Sequence, residues 1–63
     1  MKVTVIERTM VLRLEMVESP MNLLYYRVIC NRTGYIEFQH QEYGQAYDWM
    51  WKNEFKYTQN SYK

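Results

Sequence analysis

The chain has 63 residues, a formal net charge of +1, and 24% charged against 48% hydrophobic residues. That is room for one small domain, and the balance excludes a disordered acidic tail and a polybasic nucleic-acid arm. A single cysteine, Cys30, excludes an intramolecular disulfide framework and a zinc ribbon, and no apolar run approaches the roughly 20 residues that span a bilayer.

The first half reads as extended chain. From Thr9 to Val17, Met10, Leu12, Leu14 and Met16 alternate with Val11, Arg13 and Glu15, the period-2 pattern of a half-buried strand, with a start as early as Val3 allowed. Glu18-Ser19-Pro20-Met21-Asn22 breaks it, because proline fixes φ and Ser and Asn favour turns. A second strand is predicted over Leu23–Cys30 and a third over Tyr35–Gln39. Asn31-Arg32-Thr33-Gly34 joins them, with Gly34 free to take positive φ. From about His40 the period becomes helical, with Tyr43, Ala46, Tyr47, Met50, Trp51 and Tyr57 on one side and Gln45, Asp48, Lys52 and Lys56 opposite. Gly44 inside this helix marks either a close approach to the sheet or a later start. The reading is one α+β domain over residues 1–57, a three-stranded antiparallel meander with a C-terminal helix on one face, followed by a polar tail over 58–63.

The predicted core joins Met10, Leu12, Leu14, Leu24, Tyr26, Val28, Ile36 and Phe38 to Tyr43, Ala46, Tyr47 and Met50. One helix covers one side of a sheet, so the other side should display Val11, Arg13, Glu15, Tyr25, Arg27, Ile29, Tyr35 and Glu37. Arg13, Tyr25, Arg27 and Tyr35 on that face are candidate partner-binding residues, since Arg and Tyr are enriched at the energetic centres of interfaces. The plain alternative is a solvated face with cross-strand pairs, Arg13 or Arg27 against Glu15 or Glu37. Trp49 is a fifth candidate, because it falls among the polar helix positions. A shifted helix phase would bury Trp49 and make Trp51 the outward tryptophan.

Catalytic groups are few. His40, the single histidine, reads as a polar residue at a helix start, and Cys30 points into the core as a small hydrophobe. Serines occur only at Ser19 and Ser61, and there is no phosphate loop or paired-carboxylate spacing, so neither enzymatic activity nor a cofactor is expected. Asn31-Arg32-Thr33 fits a glycosylation acceptor, but the opening run Met1–Arg8 is too short and interrupted for a signal peptide. A cytoplasmic location with no membrane association is the expectation.

A three-stranded sheet followed by a helix resembles the DNA-binding domains of the AP2 and integrase amino-terminal type, and Ile36-Glu37-Phe38 followed by Ala46-Tyr47-Asp48 is similar to the last strand and helix of AP2 domains. The resemblance implies a sheet that reads the major groove. The strands depart from the pattern in lacking its dense Arg and Trp, and Glu7, Glu15, Glu18 and Glu37 oppose phosphate binding. Small size, dense Tyr, Trp and Met, and a single alanine (Ala46) resemble instead the host-takeover and anti-defence proteins of bacteriophages and mobile elements. That likeness implies a non-catalytic inhibitor of a host protein or complex in the host cytoplasm, with a homodimer as a rival or companion state.

Overall fold

The computed structural model describes residues 1–60 and shows a four-stranded antiparallel sheet whose strands neighbour one another in chain order, with one C-terminal helix. The elements are β1 (Lys2–Arg8), β2 (Leu12–Glu18), β3 (Leu24–Cys30), β4 (Ile36–His40) and α1 (Tyr43–Asn60). The α+β class and the C-terminal helix agree with the sequence reading, but the expected three strands are four. The alternation from Val3 to Val17 is two strands, because Thr9 folds the chain back. Its N–H donates to the Leu12 carbonyl at 2.7 Å, and its hydroxyl oxygen accepts from the backbone N–H of Val11 and Leu12 at 3.2 and 2.9 Å. Met10 therefore sits at a hairpin tip, 87% exposed, and is not part of the core. Val11 leaves the open face as well and packs against the core.

The β2–β3 turn follows the expected breaker. Ser19 Oγ accepts from the Leu23 N–H at 3.1 Å, and Asn22 supplies the left-handed residue at φ 63°. Gly34 takes φ +80° and donates its N–H to the Cys30 carbonyl at 2.8 Å.

The sheet separates two faces. Leu12, Leu14, Val28 and Cys30 form the buried core with Ala46 and Met50 of the helix, flanked by Ile6, Tyr26, Phe38, Tyr47, Trp49 and Tyr57. Two bulges adjust which side chains join them. Pairing shifts between Val5 and Glu7 on β1, so Ile6 packs on the core while its neighbour Glu7 also faces the helix and accepts a long bond, 3.5 Å, from Tyr43. A second shift, opposite Val28 and Ile29, turns both Glu37 and Phe38 of β4 toward the helix. Glu37 thus leaves the open face it was expected to occupy and accepts from the Tyr57 hydroxyl at 3.0 Å. Burial and this bond push the Tyr57 pKa up to about 12. Ile36 moves the other way, pairing with Ile29 on the open face and standing half exposed. Leu24 and Tyr43, also expected in the core, are each partly exposed.

The helix starts at Tyr43, and His40 closes its entrance by accepting the Glu42 N–H on Nδ1 at 3.0 Å. It continues through Thr58, whose hydroxyl donates to the Glu54 carbonyl, to Asn60; the rest of the expected tail lies outside the described residues. A Cβ added at Gly44 meets nothing within 4 Å, so neither close approach nor a later start explains this glycine. Gly44→Ala should therefore stabilise the fold by about 0.5–1 kcal/mol, the helix-propensity difference, in thermal or urea unfolding.

Candidate functional site

The face opposite the helix carries a three-residue ion network. Glu15 is 6% exposed and receives Arg13 Nε on Oε2 and Arg27 Nε on Oε1, each at 2.8 Å. Strand register explains the geometry: Glu15 pairs directly with Arg27, and Arg13 lies two residues away on the same face of β2. Arg13 extends the network by donating from Nη1 to Asn31 Oδ1 at 3.0 Å. Burial alone would raise the Glu15 pKa, but the bonds and charges of the two arginines outweigh it and hold the carboxyl below its ordinary value. Val17 and Ile29 are buried on the same face between their cross-strand neighbours, Val17 beside Val3 and Tyr25, Ile29 beside Arg13 and Ile36.

Of the five candidate residues, Arg13, Tyr25 and Arg27 lie together on this face. Tyr35 precedes β4 in the β3–β4 connection and is exposed there, with its N–H donated to Thr33 Oγ1. Trp49 lies apart from all four on the flank of the helix nearest β4, stacked on Phe38 at 4.9 Å between ring centroids and 5° between planes. The plain pairing reading describes Arg13 and Arg27, since both guanidinium groups are bound to Glu15.

The outward aromatic surface is elsewhere. Residues 43, 47, 51 and 55 recur every fourth position and so form one row along the helix. Tyr43 and Tyr47 have ring centroids 5.5 Å apart, and Tyr47 and Trp51 meet edge to face at 6.2 Å. The row starts over Tyr26 and Glu7 and turns progressively away from the sheet, leaving Trp51 47% and Phe55 54% exposed. Aromatic rings of this size take no part in the core at those positions. The sequence signal for them was the i, i+4 spacing itself, which places Trp51 on the apolar side of the helix and Phe55 at its margin.

Two further features complete the inventory. Cys30 is buried in the core cluster beneath a shallow recess of about 220 Å³ lined by Met10, Val11, Asn31, Arg32 and Tyr57. Burial raises its pKa, but the Thr33 hydroxyl and the backbone N–H groups of Thr33 and Arg32 more than offset it and lower the thiol below its ordinary value. Among the described residues no group of three or more His, Cys, Asp and Glu is placed to hold a metal ion, and no helix is long and apolar enough to cross a membrane. Comparison with protein-family models, with curated proteins and with solved structures gives no match.

Proposed function

We propose that the chain is a non-catalytic protein-binding module that acts by covering a working surface of its partner, in the manner of the small phage-type inhibitors it resembles. The observation that carries this reading is the helix row Tyr43–Tyr47–Trp51–Phe55, in which Tyr43, Trp51 and Phe55 spend large aromatic side chains on solvent. Trp and Tyr are the residue types that dominate interface hot spots, because they bury much area at little entropic cost. A specific interface takes about 800 Å² from each partner. That is about a sixth of this chain's 4598 Å² surface, so a patch centred on one helix flank is sufficient. Arg13, Tyr25 and Arg27 on the opposite face then serve the sheet first, and Trp49 serves the helix–sheet contact.

The test separates the two tryptophans. Trp51→Ala, alone or with Phe55→Ala, should leave the melting temperature within about 2 °C and weaken partner binding tenfold or more, about 1.4 kcal/mol. Trp49→Ala should lower the melting temperature through loss of the Phe38 stack. Capture from host lysate with wild-type and variant chains identifies the partner, and titration of the purified partner then measures inhibition. A captured protein that Trp51→Ala retains at full affinity would refute the helix-row reading. The nucleic-acid alternative predicts a duplex mobility shift at low salt that added salt abolishes. With both sheet arginines engaged by Glu15, no observation favours it.

A further inference from the structure

We infer that the free edge of β1 is a self-pairing edge, and that two copies of this chain join β1 to β1 in antiparallel register centred on Thr4. The two edges of the sheet differ. At β4 the strand is five residues long, is interrupted by the bulge at Glu37, and lies under the helix, with Trp49 and Tyr57 reaching Phe38 and Glu37. At β1 the strand is seven residues long, and the helix backbone lies over β2, β3 and β4, with β1 reached only by side chains at its far end, through Ile6 on the core and the Tyr43–Glu7 bond. Its run Val3-Thr4-Val5-Ile6 holds no proline and no charge, and the β1 bulge falls at the far end of that run. Natural sheets blunt such edges with prolines, inward charges, central bulges or a covering element, because unpaired N–H and C=O groups invite another strand.

The register follows from backbone parity and charge. Alternate residues of an edge strand point their N–H and C=O outward, so two such edges match only when residues of the same parity face each other. That requires a twofold axis passing through a residue. Centring on Val5 sets Thr4 against the bulged pair Ile6 and Glu7, which breaks the ladder one residue from the axis, and it sets Val3 against the charged Arg8 on the open face. Centring on Val3 leaves little of the strand paired. Centring on Thr4 sets Val3 against Val5, both on the open face, and Lys2 against Ile6 on the helix side. Because the bulge turns Glu7 to that side beside Ile6, Lys2 of each copy lies next to Glu7 of the other. Val3 and Val5, each 42% exposed in one chain, become a continuous four-valine strip across the axis. The strand is thus complementary to itself in chirality, face and charge, the condition for an isologous contact. The product is one eight-stranded sheet with both helices on the same side. This inference stands apart from the helix row and would survive its failure.

Light scattering after size exclusion from about 1 μM to about 1 mM covers the range in which a weak edge contact titrates. The wild-type chain should shift toward a dimer. Thr4→Lys, which opposes two ammonium groups at the axis, should weaken that dimer at least tenfold with the circular dichroism spectrum unchanged. Glu7→Lys should weaken it too, and Lys2→Glu combined with Glu7→Lys should restore it, which tests the register even if Thr4→Lys fails to fold. Thr4→Cys places two thiols within about 5 Å across the axis and should form a covalent dimer under mild oxidation, whereas Lys56→Cys on the far helix surface should not. A chain that stays monomeric throughout without cross-linking, or a dimer indifferent to Thr4→Lys and to the charge reversals, overturns the proposal.

Discussion

Met50→Ala should destabilise the fold by about 3 kcal/mol, the middle of the range for truncating a buried methionine or leucine. Met50 is fully buried in the cluster it forms with Leu12, Leu14, Val28, Cys30 and Ala46, which joins helix to sheet. Nothing nearby can collapse easily into the space it leaves, because Ala46 is the other buried helix contact and the remaining neighbours are held by β2 and β3 pairing. A 63-residue domain has about 3–9 kcal/mol of stability in all, so the loss removes a third or more of it. In thermal unfolding the midpoint should fall by roughly 15 °C, and in urea the midpoint should move while the slope stays constant. A loss below about 1 kcal/mol would mean that the helix is held mainly by its aromatic flanks, through Trp49 on Phe38 and Tyr43 on Tyr26, rather than by the cluster. The same measurement on Trp51→Ala supplies the contrast, because that ring lies outside the cluster and its removal opens no cavity.

The two-faced sheet was legible because β2 and β3 keep strict alternation. Leu12, Leu14 and Val28 fall on one side, Arg13, Glu15 and Arg27 on the other, and a single antiparallel register brings the latter three together. The fourth strand was hidden for a chemical reason. Hairpin turns usually announce themselves with Asn-Gly or Asp-Gly at positive φ. Here Met10 and Val11 form the tip without positive φ, and the turn is held by the Thr9 hydroxyl, so the alternation of Met10, Leu12 and Leu14 reads straight through it. Bulges are equally silent in a period-2 pattern: one extra residue moved Glu37 to the helix side and Ile36 to the open side. The tryptophans exchanged roles through a modest rotation of the helix. Sequence reading spread the apolar arc from Ala46 through Tyr43 and Tyr47 to Trp51, whereas packing centres it on Ala46, Met50 and Tyr57, which admits Trp49 at one margin and expels Trp51 at the other. Adjacent helical residues lie about 100° apart, so a shift smaller than one residue decides which ring binds the sheet and which meets solvent. The wide aromatic arc held that information only as an excess: one helix face cannot bury rings at positions 43, 47, 49, 51, 55 and 57 together.

Glu15→Gln should cost about 2 kcal/mol at neutral pH and progressively less as the pH falls below the ordinary carboxylate range. The carboxylate accepts two charge-assisted bonds, each of a kind worth about 1.5–3 kcal/mol. Both arginine side chains are partly exposed, 28% for Arg13 and 21% for Arg27, so after the substitution they turn to water, and the loss stays below the 3–5 kcal/mol typical when a fully buried charge is orphaned. The direction with pH follows from proton affinity. Burial raises the Glu15 pKa, the two arginines lower it more, and the folded chain therefore holds this proton less tightly than the unfolded chain, whose carboxyl titrates near 4.5. The network contributes its full stability above that value and loses it progressively as pH falls through the lower, folded value. The melting temperature of the wild-type chain should thus fall more steeply below about pH 5 than that of Glu15→Gln, and the two curves should converge. A gap that stays constant from neutral pH to pH 2 would show that the introduced amide fails by shape or packing, and that the charge of Glu15 contributes nothing to holding β2 against β3.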